Sequence, residues 1–158
     1  MFDDLELPEE AKKNLQDPLY LKKALENGQP LFQILGFTQN HLNDFYTSAS
    51  SLFFRQDYHK ASDAFYFLTT LHPNHPHYWL GLGLSEQHNG ENHAALMAYS
   101  MATLHDVENP IPYYQSAHCY LELNDKESAH ASLTLALSFA DPHPQVKARI
   151  LELQARIN

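Results

Sequence analysis

The chain has 158 residues, a length that suits one domain whose single core buries roughly two-thirds of the unfolded surface. Hydrophobic residues make up 44% and charged residues 18%, with nine Phe, nine Tyr and one Trp, a balance that excludes disordered and fibrous classes. The net charge is -9, and the stretch from Ala61 to Asp125 holds seven acids and no Lys or Arg, so the basic footprint that DNA or RNA demands is missing.

Along the chain, the first forty residues differ in style from the rest. The first ten carry five acids and no base, which argues against a signal peptide. Pro8-Glu-Glu-Ala has the proline-plus-acid start of a helix. Pro18 restarts one that runs through Leu19 to Asn27, and Gly28-Gln-Pro30 ends it. The apolar piece from Leu31 to Phe37 follows, and its density of Leu, Ile and Phe requires cover from the main body or from a second copy of the chain. Residues 1–40 are therefore expected to form an N-terminal helical region with a part in self-association.

From Leu42 the sequence repeats at a spacing of 34 residues. Phe45, Trp79 and Tyr113 keep this step, as do Ala49, Gly83 and Ala117. So do Ala61, Ala95 and Ala129, then Phe65, Tyr99 and Leu133, then Leu68, Ala102 and Ala136. A turn column reads Gln56, Gly90 and Asn124, and prolines at Pro73, Pro76, Pro110 and Pro142 stop helices from running between units. Within the second unit Trp79, Leu82, Gly83 and Glu86 precede a break at Asn89-Gly90, and Ala95, Leu96, Tyr99 and Ala102 then follow at steps of three and four. Each unit is thus a helix A, a turn and a helix B. In the tail, Val146, Ile150, Leu153 and Ile157 form one stripe, as a capping helix with a polar outer face requires.

The pattern of Trp79-Leu-Gly, Leu82-Gly83, Gly90, Ala95, Tyr99 and Ala102 resembles the tetratricopeptide repeat. The resemblance implies an all-α protein with three tandem helix-turn-helix repeats in a right-handed solenoid, at about residues 42–75, 76–109 and 110–143, capped by residues 144–158. In such an array the A helices line the concave face. Steps of four and three then select Tyr46, Ser50 and Phe53, next Leu80, Leu84 and Gln87, and last Tyr114, His118 and Leu121 as groove residues. Six of these nine are apolar or aromatic, which suits an apolar, extended peptide, although the N-terminal region could cover some of them. Repeat modules that clamp the acidic C-terminus of heat-shock chaperones need Lys, Asn and Arg, where this chain has Tyr46, Ser50, Gly81, Ile111 and Gln115.

Catalysis finds little support. His72, His75 and His77 lie close together among eleven histidines, but in a proline-broken turn without Cys or paired carboxylates at ligand spacing, so no metal is expected. Cys119 is the single cysteine, mid-helix beside Tyr120 and Leu121, where a packing role is expected; it can form no internal disulfide, which favours a reducing cytosol. His118 beside it lacks a third partner for nucleophilic chemistry. No phosphate-binding, dinucleotide or zinc-protease motif is present, so neither a cofactor nor enzymatic activity is expected. Apolar runs such as Phe65 to Leu68 are far too short for the roughly 20 residues of a membrane span.

A closer resemblance rests on Phe45-Tyr46, Phe53, Tyr58-His-Lys-Ala61, Tyr78-Trp-Leu-Gly-Leu-Gly83, Asp106-Val-Glu-Asn-Pro110 and Ser116-Ala-His-Cys-Tyr-Leu121. Over about residues 20–140 the chain is similar to the class II chaperones of bacterial type III secretion systems, the SycD/LcrH group. That resemblance implies a cytosolic chaperone without ATP chemistry, which holds a hydrophobic translocator protein in the groove before export and forms a homodimer through its N-terminal helices. It also implies that Tyr46, Phe53, Leu80, Leu84, Tyr114 and Leu121 bind a short Pro/Leu-containing segment, and in some members a role in co-activating transcription. Gln56 departs from the usual turn glycine and His118 from the usual acid. From a different class, the alternative is a repeat scaffold that joins folded proteins.

Overall fold

A computed structural model describes residues 7–157. Those residues form ten α-helices: α1 (Glu9–Leu15), α2 (Pro18–Glu26), α3 (Leu31–Ile34), α4 (Gln39–Phe54), α5 (Tyr58–Leu71), α6 (Pro76–His88), α7 (Asn92–His105), α8 (Pro110–Glu122), α9 (Lys126–Ser138) and α10 (Pro144–Ile157). Consecutive helices from α4 onward pack in chain order, so α4–α5, α6–α7 and α8–α9 are the three A–B pairs. Helix α4 begins three residues before Leu42, the expected start of the first repeat. The cause is local: Thr38 caps it, and the Thr38 N–H donates to Nδ1 of His41 at 3.0 Å.

The repeat columns are the core. Ala49, Ala61, Ala95, Ala117, Ala129 and Ala136 are fully buried, and small residues at these places let the A and B backbones close on each other. At Gly83 the approach leaves no room for a side chain, since a Cβ there would stand 2.5 Å from the Tyr99 ring. The aromatic column has a second duty. Trp79 Nε1 donates to the Pro73 carbonyl at 2.5 Å and Tyr113 Oη donates to that of Val107 at 3.2 Å, so each aromatic fastens the turn that precedes its own repeat.

The turn column also has one structural meaning. Gln56, Gly90 and Asn124 all adopt left-handed backbone, with φ of 64°, 82° and 60°. Around Gln56 the amide of Asp57 reaches the Leu52 carbonyl at 3.0 Å, and the amide of Gln56 reaches that of Phe53 at 2.9 Å. This pairing satisfies the last carbonyls of α4, and it repeats after α6 and α8. Asparagine tolerates this conformation and glycine adopts it freely, whereas glutamine is strained there. Gln56→Gly is therefore expected to stabilise the fold by about 0.5–1 kcal/mol, read as a rise in thermal midpoint, and an unchanged or lower midpoint would contradict it.

The apolar piece from Leu31 to Phe37 is covered by the chain's own body. Phe32, Ile34 and Phe37 are buried, and Phe32 and Phe37 join Leu42, Phe65, Leu68 and Leu71 in one cluster. At the other end, α10 starts with Pro144, 34 residues after Pro110, and seats Ile150 and Leu153 against Leu133, Ala136 and Ala140. It occupies the place of a fourth A helix and closes the array.

Candidate functional site

Because the A helices repeat every 34 residues, the positions Tyr46, Leu80 and Tyr114 are equivalent, as are Ser50, Leu84 and His118, and Phe53, Gln87 and Leu121. None of the nine is fully buried. Tyr46, Ser50, Phe53, Leu80 and Leu84 meet in one open cavity of about 280 Å3 between the first two repeats. Tyr114, His118 and Leu121 lie further along, outside that cavity; the His118 ring meets that of Tyr114 edge-on at 4.8 Å. Gln87 is partly committed to the scaffold, because its Oε1 accepts from Tyr99 Oη at 2.5 Å.

Four further residues line the same cavity: Phe54, Phe65, His77 and Gly81. Phe54 is the clearest omission from the sequence reading, with 82% of its surface exposed. A step of four from Ser50 reaches it, where a step of three selects its neighbour Phe53. Phe53 lines the cavity too, but its ring also packs on Tyr58 and His88, with centroids at 5.3 and 5.2 Å. Gly81 lets the floor form, since a Cβ there would fall 2.3 Å from the Phe65 ring. No spacing rule could separate that close approach from an ordinary helical glycine.

The side chains that suggested chemistry do structural work. Cys119 is wholly buried, and burial pushes its thiol up to about 11, so it stays protonated near neutrality. His118 is held below the ordinary imidazole range by burial and then by the Arg156 cation, with Glu122 opposing. His72 meets Phe32 at 5.2 Å and His75 stacks on Tyr78 at 4.0 Å, joining the N-terminal region to the first two repeats. Their Nδ1 atoms are buried without a hydrogen-bond partner, and burial lowers the affinity of both rings for protons. Among the described residues, no group of three or more ligating side chains could hold a metal, and no helix is long and apolar enough to cross a membrane.

These lowered values carry a direction. The unfolded chain binds more protons than the folded chain once the pH falls below the ordinary imidazole value of 6.5. The stability these histidines contribute is complete above that pH and declines below it. The thermal midpoint is expected to drop between pH 7.5 and pH 5, and His72→Gln with His75→Gln should flatten the drop. An identical pH profile in the double variant would exclude this pair as the cause.

No protein-family profile matches the chain. In sequence it is 23% identical over 152 residues to the low calcium response locus protein H of Yersinia pseudotuberculosis, covering 96% of this chain and 88% of that protein. In fold it is similar to PcrH of Pseudomonas aeruginosa, solved in complex with the chaperone binding region of PopD, with a TM-score of 0.75 and 26% identity over 77% of this chain and 94% of PcrH. It is also similar to the Yersinia enterocolitica type III secretion chaperone SycD, solved in complex with a peptide of the translocator YopD. There the TM-score is 0.68 and the identity 26%, over 76% of this chain and 88% of SycD. With the repeat columns buried as that fold requires and the likeness extending along nearly the whole sequence, the chain is similar in both sequence and fold to the class II chaperones of type III secretion, the SycD/LcrH group of tetratricopeptide-repeat proteins.

Proposed function

We propose that this chain is a cytosolic chaperone of a bacterial type III secretion system, which binds a hydrophobic translocator protein on its concave face and keeps it soluble and unassembled before export. The observation that carries the reading is the open cavity between Tyr46, Phe53, Phe54, Leu80 and Leu84, in a fold whose relatives PcrH and SycD have been solved with translocator segments. A segment destined for a membrane exposes apolar surface that aggregates in water. Covering that surface yields roughly 25 cal/mol per Å2, and the net charge of -9 keeps the complex dispersed. No step in this task needs bond chemistry, so the chain acts as a holdase and not as an enzyme. The test is co-expression with the translocator of the same secretion system. A translocator that is insoluble alone and soluble with this chain supports the reading; one equally insoluble in both cases refutes it.

Self-association, on this reading, runs through the N-terminal helices. Since Leu31 to Phe37 is occupied by the core, the candidates for contact are Leu19 and Leu25 of α2, which are 74% and 66% exposed. A chain beginning at Gln39 would lose Phe32, Ile34 and Phe37 from the core as well, confusing assembly with folding. Leu19→Glu with Leu25→Glu avoids this. Sedimentation of the double variant is expected to give a monomer with unchanged helicity, and a wild-type oligomeric state would place the interface elsewhere.

A further inference from the structure

A second cavity, of about 520 Å3, opens where the turns after α7 and α9 meet the start of α6. Its wall includes Ile111, Phe139 and Pro142, and its rim carries the carboxylates of Asp106 and Glu108. The wall is firm: the Phe139 ring stacks on Tyr113 at 5.8 Å, and Tyr113 is itself fastened to the Val107 carbonyl. Neither carboxylate takes part in an ion pair among the described residues. His77 lines both this cavity and the apolar one between the first two repeats, so the two cavities share a side chain.

Apolar wall and acidic rim together define a ligand chemistry. A Lys or Arg side chain is a long apolar stem with a cationic head, which packs its stem on apolar surface while its head stays at the polar edge. Carboxylates without an internal cation are acceptors for such a head, through charge-assisted hydrogen bonds. An anion would be repelled by the same carboxylates, and Lys147, which follows the cavity's last lining residue His143, is already paired with Asp141. We infer that this cavity is a charged subsite of the groove, which takes a Lys or Arg side chain of the bound segment, its stem on Ile111, Phe139 and Pro142 and its head at Asp106 and Glu108. The inference rests on the proposed groove and adds a second specificity element to it: the captured segment is recognised by a basic residue as well as by its apolar ones.

The test uses the full chain and fluorescently labelled decapeptides with a central Val-Pro-Leu core in Gly/Ser, bearing one Arg at either end, each paired with the same peptide bearing Gln. At low salt, Arg in place of Gln is expected to tighten binding about three- to tenfold for at least one of the two ends. The gain should fade at high salt. In Asp106→Asn with Glu108→Gln, whose exposed or half-exposed side chains leave the core untouched, the gain should vanish while the Gln peptides bind as before. If the Gln peptides bind and Leu84→Glu abolishes that binding, but Arg adds nothing or its gain survives the double variant, the subsite is wrong and the groove stands. If no peptide binds, both fall.

Discussion

Replacing Ala95 by glutamate is expected to unfold the middle repeat. Ala95 is 0% exposed and packs with Tyr99 and Cys119 beneath Leu80, Leu84 and Leu96. The larger side chain has no space there, and overpacking alone costs about 1–3 kcal/mol. A carboxylate without a partner adds several kcal/mol more, or protonates to escape the cost. Against a domain stability of about 5–15 kcal/mol this is a large loss. In a stacked array it also separates the first repeat from the third, because each unit is stabilised by its neighbours. The measurement is helical circular dichroism with a thermal melt. Ala94→Glu, one residue away and exposed, serves as the control and should shift stability by about 0.5 kcal/mol or less. A wild-type melt for Ala95→Glu would contradict the repeat register.

The second large effect is on capture. Phe54→Ala is expected to weaken binding of a translocator segment by about tenfold, since loss of an aromatic anchor in an interface typically costs about 1–2 kcal/mol or more. Its fold should be unaffected, because the side chain is 82% exposed. Leu84→Glu should be at least as damaging, by placing a charge against the apolar segment, but Leu84 also packs on the Ala95–Tyr99–Cys119 cluster. Tyr46→Ala with Tyr114→Ala has the same double character. Tyr46 is 38% exposed, and its ring stands 5.9 Å from that of Phe65 and 5.8 Å from that of Tyr78. These side chains are therefore partly scaffold, and Phe54 is the cleaner test. Titration of the segment with helicity followed in parallel separates the two effects. Unchanged affinity for both Phe54→Ala and Leu84→Glu would move binding off the concave face.

What the amino-acid sequence determined by itself is whatever recurs with a period. The 34-residue step identified the A and B helices, the buried alanine columns and the turn positions, because each repeat must satisfy the same contacts with its neighbours. Even Gln56, the departure in the turn column, lies in the left-handed backbone that the glycine of the next repeat adopts. Tertiary structure decided what periodicity leaves degenerate. A helix face is about a hundred degrees wide, so a three-four step could not rank Phe53 against Phe54; the ring contacts of Phe53 with Tyr58 and His88 did. Whether Leu31 to Phe37 needed a second copy was likewise open, since apolar density states a need for cover without naming what supplies it. The packing of Phe32 and Phe37 on α5 and its neighbours answered that. The meeting of Asp106 and Glu108 with Phe139, across the turns of two different repeats, was beyond any local pattern: residues some thirty apart become neighbours when the array stacks.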